Sequence, residues 1–170
     1  PIATGVQDSF VDIGFAPWVP GFTNLNFTKV REEPCLFVCS PAYYAAHEKG
    51  LRAKDFSGIQ FIYREKGTRV HEVASGLLNR LPIRSERKPI IAGDMESIKN
   101  LVLCDAGIAV IPHCCVAQSI RMGLMREISL GEETQLPSVE YFVIQRKNEK
   151  NEMHIKLLLD TLKDQYNIME

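Results

Sequence analysis

Asp94-Met-Glu-Ser-Ile-Lys-Asn-Leu-Val-Leu-Cys-Asp-Ala-Gly-Ile-Ala-Val-Ile-Pro112 is the stretch that decides how this chain folds. Asp94 is a good N-cap, and Met95, Ile98, Leu101 and Val102 recur at the spacing that lines one face of a helix, which predicts a helix over 95–105. Gly107 supplies a left-handed residue after it. Ile108-Ala-Val-Ile then forms an unbroken apolar run closed by Pro112, as a strand buried on both faces does. A helix feeding a wholly apolar strand implies an α/β fold, with mainly parallel strands and helices on the faces of the sheet.

The same alternation extends outward. Upstream, Pro89-Ile-Ile-Ala reads as a brief strand, and Val73, Ala74, Leu77, Leu78 and Leu81 mark a helix stopped by Pro82. Residues 59–63 are rich in strand formers. Ser40-Pro41 is an N-cap followed by a first-turn proline, which predicts a helix over 41–49 ending at Gly50. Residues 33–39 read as a buried strand, 19–28 as a loop punctuated by Pro20, Gly21 and two Asn, and 10–16 as a strand closed by Pro17. Residues 1–8 carry no readable pattern. Downstream we expect a short helix over 116–121, a strand over 124–130, a loop over 131–137 and a strand over 139–145. After a charged turn over 147–152, Ile155, Leu158, Leu159, Leu162 and Tyr166 make the stripe of an amphipathic closing helix.

With 170 residues, 45% apolar and 24% charged, the chain can bury a substantial core and is far from disorder. Twenty basic against 21 acidic residues leave a formal charge of −1, which provides no positive surplus for wrapping nucleic acid. Any DNA contact must come from another part of the protein. The longest apolar stretch, 101–117, is interrupted by Asp105, Gly107, Pro112 and His113 and falls short of the ~20 residues that span a bilayer. No secretory signal is visible and the first residue is Pro, so we expect a cytoplasmic piece of something longer. Five cysteines, with no CxxC pair, argue against a disulfide framework and fit reduced thiols.

Signatures of enzymes are missing. His71-Glu72 begins like a zinc-protease helix, but Ser75 stands where the second imidazole is needed, and there is no nucleophile elbow, phosphate loop or dinucleotide fingerprint. We therefore expect no catalytic residue, no metal and no cofactor. His113-Cys114-Cys115 reads either as a redox or metal patch or, with greater weight, as small buried thiols entering a helix. Cys35 and Cys39 share one face of a strand, most simply the core face. The basic run Arg80, Arg84, Arg87 and Lys88 reads as a solvated turn rather than a binding patch. Asn26-Phe-Thr28 matches a glycosylation acceptor, which matters only in a secreted chain. In α/β folds ligands bind beyond the carboxyl ends of strands, where helix starts present unpaired N–H groups. Two segments meet that description, 64–69 and 93–97. Thr68 after Gly67 reads equally as a cap alone or as a cap that also touches a ligand. Trp18, between Pro17 and Pro20, is either a lid over a small core or a pocket wall.

Taken in order, Val11-Asp-Ile-Gly-Phe, Glu32-Glu-Pro-Cys-Leu-Phe-Val-Cys-Ser, Gly58-Ile-Gln-Phe-Ile with Gly67-Thr68 before a helix, and the segment from Asp94 to Pro112 resemble the effector-binding region of LysR-type transcriptional regulators. The resemblance spans about residues 11–166 and rests on the ordered series rather than on one motif. It implies a two-lobed fold of the type II periplasmic-binding-protein kind with a small-molecule cleft, one lobe made of 1–40 and 141–170 and the other of 41–140. The family's effector region opens with a strand, a helix and a second strand before the Asp-Ile-Gly strand, so the first lobe is expected to be incomplete. The winged helix-turn-helix that carries DNA binding in the family is not in this chain.

On that resemblance the parent protein is a transcription factor and this piece senses a small polar or anionic metabolite. Gly67, Thr68 and Arg69 at a helix start would grip its charged group, with Ala16, Pro17 and Trp18 as the facing wall. A homodimer or tetramer is implied, with DNA bound only through the absent N-terminal domain and no membrane partner. The rival reading is a stand-alone solute-binding protein of a transport system, disfavoured by the lack of a secretory signal and by unpaired cysteines; an enzyme is a weaker third.

Overall fold

The computed structural model describes residues 2–53, 58–80, 86–129, 136–147 and 152–166. Leu81, Pro82, Arg84, Leu130, the loop 131–135 and residues 148–151 of the charged turn fall outside the described residues, as do the side chains of Leu162 and Tyr166. The chain divides into two units, Pro1–Glu33 with Glu140–Glu170, and Pro34–Val139. Both boundaries fall inside strands, the first within β2 (Leu25–Cys39) and the second within β7 (Ser138–Arg146).

In the first unit, α1 (Ile2–Gln7) lies on β1 (Ile13–Pro17), which pairs antiparallel with β7 from Ile13↔Gln145 to Pro17↔Tyr141. Its core gathers Ala3, Val6, Leu25 and Ile144, flanked by Ala16, Val19, Phe22 and Phe27. The helix was illegible because only Ala3 and Val6 of its six residues are buried, too short a stripe to show a period of 3.6. Gly14 makes the close approach possible: a Cβ there would stand 2.5 Å from a methyl of Ile2. Arg146 ties the same corner, its Nη1 donating to the carbonyls of Val6 (2.7 Å) and Val11 (3.0 Å) while Nη2 reaches Asp12. Phe10 lies outside β1 and is 84% exposed, contrary to the strand expected from residue 10. β2 begins at Leu25, well before the expected start at 33, because burial of Leu25, Val30 and Glu33 is separated by polar residues that disguise the strand. The unit closes with α6 (Glu152–Tyr166), anchored by buried Ile155.

The second unit is built on β5 (Ile108–Pro112), in which all five residues are buried. β5 pairs antiparallel with β2 (Cys35↔Pro112 to Val38↔Ala109) and parallel with β3 (Phe61–Arg64), which pairs parallel with β4 (Ile90–Ala92). A two-residue strand, β6 (Arg126–Glu127), adds antiparallel to β2, so the sheet is mixed rather than mainly parallel. On one face, Leu36, Val38, Ile62, Ala92, Ala109 and Ile111 pack against Ile98 and Val102 of α4 (Met95–Leu103) and Val116 of α5 (His113–Arg121). α3 (Arg69–Arg80) packs on β3 and β5 through a row of buried residues that includes Val73, Ala74, Leu77 and Leu78. α2 (Pro41–Ala53) starts as expected, with the Ser40 hydroxyl accepting the Tyr43 N–H at 2.9 Å, but runs through Gly50, since burial of Leu51 outweighs the glycine's cost of about 1 kcal/mol.

The end of α4 corrects the reading of Gly107. Asp105, not Gly107, is the left-handed residue (φ 60°), and the Ala106 and Asp105 N–H groups bond back to Leu101 and Val102 carbonyls in a Schellman closure. Asp can adopt that conformation at small cost, and its carboxylate accepts the Ser40 hydroxyl. Gly107 instead serves close approach: a Cβ there would lie 2.3 Å from the Gln60 carbonyl oxygen, which accepts the Ile108 N–H at 2.9 Å. Accordingly, Gly107→Ala is expected to cost about 3 kcal/mol in urea unfolding, since backbone on both sides must shift. Gly93→Ala, with nothing within 4 Å of its Cβ, is expected to be close to neutral in the same measurement.

Candidate functional site

Within the second unit, the carboxyl ends of β3 and β4 and the first turns of α3 and α4 come together. The Glu65 N–H donates to the Ala92 carbonyl at 3.2 Å, joining the two strand ends. After Arg64 the chain turns through Gly67 (φ 84°), a conformation that favours glycine, and enters α3 at Thr68. The Thr68 hydroxyl accepts the His71 N–H at 3.3 Å and donates to the Glu65 carbonyl at 2.9 Å. It is a helix cap. His71 Nδ1 donates to the Arg64 carbonyl at 2.8 Å, with its ring 5.7 Å from that of Tyr63, whose hydroxyl pKa burial raises. Arg69 is exposed and pairs with Glu72 at 3.1 Å.

The two helix starts differ in charge. Asp94 caps α4, its carboxylate accepting the Ser97 N–H and the Ser97 hydroxyl, each at 2.7 Å. Those two bonds, with smaller contributions from the Glu96 backbone N–H and then the Arg64 charge, hold the Asp94 carboxyl below the ordinary aspartate value. The positive end of α4 therefore already faces an anion of its own chain. α3 is capped by a neutral hydroxyl, and the acid in its first turn, Glu72, is paired with Arg69, so its first-turn N–H groups face no ionised cap. Of the segments 64–69 and 93–97, only the second has an ionised side chain as its helix cap.

Arg64 strengthens that asymmetry. Its side chain is only 16% exposed, Nη2 lies 3.5 Å from Glu65, and Nη1 is buried with no hydrogen-bond partner among the described residues. A buried guanidinium N–H without an acceptor is costly, and an acceptor oxygen, of water or of a ligand, would satisfy it. Sequence reading did not single out Arg64; the available signal was a cation at the last position of an otherwise apolar strand.

Ala16, Pro17 and Trp18 belong to the first unit. Ala16 and Pro17 are the last, half-buried residues of β1, opposite Phe142 and Tyr141, and Ala16 packs against the core of that unit. Trp18 follows them with 52% of its surface exposed. The structure places this trio at one strand end and Gly67, Thr68 and Arg69 at one helix start, each within its own unit. Among the described residues no group of three or more His, Cys, Asp or Glu is arranged to hold a metal, and no helix is long and apolar enough to cross a membrane.

Comparison with known proteins places these features in a family. The model of the LysR substrate binding domain matches residues 2–167. Among solved structures, the regulatory domain of CrgA, a LysR-type transcriptional regulator from Neisseria meningitidis, is 18% identical with a TM-score of 0.72, covering 95% of this chain and 78% of that one. The regulatory domain of CcmR from Synechocystis PCC6803, in complex with 2-PG, is 19% identical with a TM-score of 0.72 over 99% and 79%. Full-length HypT from Salmonella typhimurium, a hypochlorite-specific LysR-type regulator, is 13% identical with a TM-score of 0.72 over 97% of this chain and 55% of its own. The chain thus spans about half the length of that full-length regulator. No curated protein sequence matches. The fold is the type II periplasmic-binding-protein-like fold of these regulatory domains.

The Asp94 cap carries a pH signature. Because its folded pKa is lowered, its contribution is complete above the ordinary value of 3.8 and is lost as pH falls through the folded value. Asp94→Ala should lower the thermal midpoint at pH 7, and the gap from the parent chain should shrink steadily below pH 3.8; a gap of constant size across that range would refute the charged cap.

Proposed function

The chain belongs to the LysR substrate-binding domain family, and from that premise we propose that it is the effector-sensing part of a transcriptional regulator whose ligand is a small anionic metabolite. One observation carries the ligand's charge: the buried Arg64 Nη1, which has no acceptor among the described residues, beside a helix start whose cap is a neutral hydroxyl. A carboxylate or phosphate there would accept from Arg64 and from the first-turn N–H groups of α3, with Gly67, Thr68 and Arg69 shaping the turn around it. Charge-assisted bonds of this kind contribute roughly 1.5–3 kcal/mol each, so two or three combined give about 3–9 kcal/mol, roughly millimolar to sub-micromolar binding. Ala16, Pro17 and Trp18 are the first unit's candidates for effector contact.

Effector binding acts on transcription only if it favours one conformation or assembly over another, and a difference of about 1–3 kcal/mol suffices for that. We place the DNA contacts in another part of the parent protein, because this chain has a net charge of −1. Homodimeric or tetrameric assembly, a cytoplasmic setting and the lack of catalysis belong to the same proposal. The rival, a transport solute-binding protein, has the same architecture, but both the family model and the structural neighbours are those of regulators.

A thermal-shift screen of small mono- and dicarboxylates and phosphorylated acids tests this. A ligand at a hundred times its dissociation constant adds about 2.7 kcal/mol, a shift of several degrees. Calorimetry on the hit should then show Arg64→Met weakening binding by about 10- to 100-fold, equal to the loss of one charge-assisted bond. Thr68→Val should cost about 1 kcal/mol of stability through the lost cap and should also weaken binding. An affinity unchanged in both variants would remove this helix start from the site.

A further inference from the structure

Cys114 and Cys115 stand apart from the candidate effector site, on a different helix, and nothing in the proposed function uses them. Contrary to the reading of small buried thiols, α5 begins at His113, so both lie in its first turn; Cys114 is exposed and Cys115 half-buried against the core. Their Sγ atoms are 3.9 Å apart and neither is in a disulfide. The other cysteines differ. Cys35 and Cys39 are fully buried in β2, where burial pushes the Cys39 thiol up to about 11, and Cys104 is a single exposed thiol beyond α4.

Three chemistries use adjacent thiols, and spacing separates them. A disulfide requires Cα atoms roughly 4.4–6.8 Å apart, whereas neighbours on a chain are held at about 3.8 Å, so a Cys114–Cys115 bridge would be strained. Zinc requires four ligands, and no third His, Cys, Asp or Glu joins the pair among the described residues. For metal–sulfur bonds of about 2.3 Å, the 3.9 Å separation corresponds to an S–metal–S angle of about 115°, between tetrahedral and trigonal. Soft ions of low coordination number, Cu(I) above all, are selected by thiolates and need only one further small ligand to complete a trigonal shell.

The geometry points to a Cu(I) site in which Cys114 and Cys115 supply two cis thiolates and an exogenous ligand takes the third position at the exposed side. Two S–H protons leave as two copper–sulfur bonds form, with no change of oxidation state, and with a neutral third ligand the product carries one net negative charge. That charge sits in the first turn of α5, whose N-cap is Pro112 with no side-chain hydrogen bond to the helix, so the positive end of the helix faces it.

The test is competition for Cu(I) against bicinchoninate under anaerobic, reducing conditions, using the whole chain. The parent chain should withdraw one equivalent, and X-ray absorption should show two sulfurs at about 2.3 Å. Cys114→Ser, at an exposed position, should keep the metal-free melting midpoint and lose about 100-fold or more in Cu(I) affinity, while Cys104→Ser should bind as the parent does. Cys115→Ser should match Cys114→Ser in affinity. Failure to withdraw copper, equal affinity in Cys114→Ser, an equal loss in Cys104→Ser, or Zn(II) binding as tight as Cu(I) would each overturn the assignment.

Discussion

Burial of β5 on both faces is the constraint on which the second unit depends. A strand with no exposed residue has no water to satisfy its backbone, so Ile108–Pro112 must find partner strands on both edges and apolar cover above and below. β2 and β3 supply the edges, α4 and α5 pack on one face, and α3 packs on β3 and β5. Gly107 admits the chain to this position past the Gln60 carbonyl, where any side chain would collide. The position of α3, and therefore of its first turn, follows from how β5 is enclosed.

From that arrangement the electrostatics of the helix starts emerge as a choice of capping residue. An ionised cap at Asp94 and a neutral one at Thr68 stabilise their helices by the same kind of hydrogen bond, yet only the first places a charge on the cap itself. Arg64 adds a buried donor at the neutral end, and its charge also helps keep Asp94 ionised. The first unit has a comparable economy at Gly14 and Arg146, where one missing side chain lets α1 lie on β1 and one long side chain satisfies carbonyls at its end.

Legibility tracked how locally each element is specified. α4, β5 and the Ser40 cap of α2 were readable because period, cap and apolar run agree within a few residues. The start of β2 was not, since its buried residues alternate irregularly among Asn, Thr, Lys and Arg, and a pairing partner distant in sequence is what extends it. Gly50 read as a stop but is passed over because Leu51 is buried, and the left-handed position belongs to Asp105 because Ser40, 65 residues away, holds its carboxylate. Of the effector candidates, Gly67 and Thr68 were readable as turn and cap. Arg64 was not, because only the fold reveals that its Nη1 is buried without an acceptor among the described residues.

The sequence by itself determined the α/β class, the order of most elements, the family resemblance and the absence of enzyme signatures, because these rest on periodicity, capping chemistry and residue type, which act over a few positions. Tertiary structure alone decided that Arg64 buries a donor beside the start of α3, which residue adopts the left-handed turn, and that Cys114 and Cys115 hold their sulfurs 3.9 Å apart. Those outcomes depend on distances between side chains and on exclusion of water, and neither is encoded in local pattern.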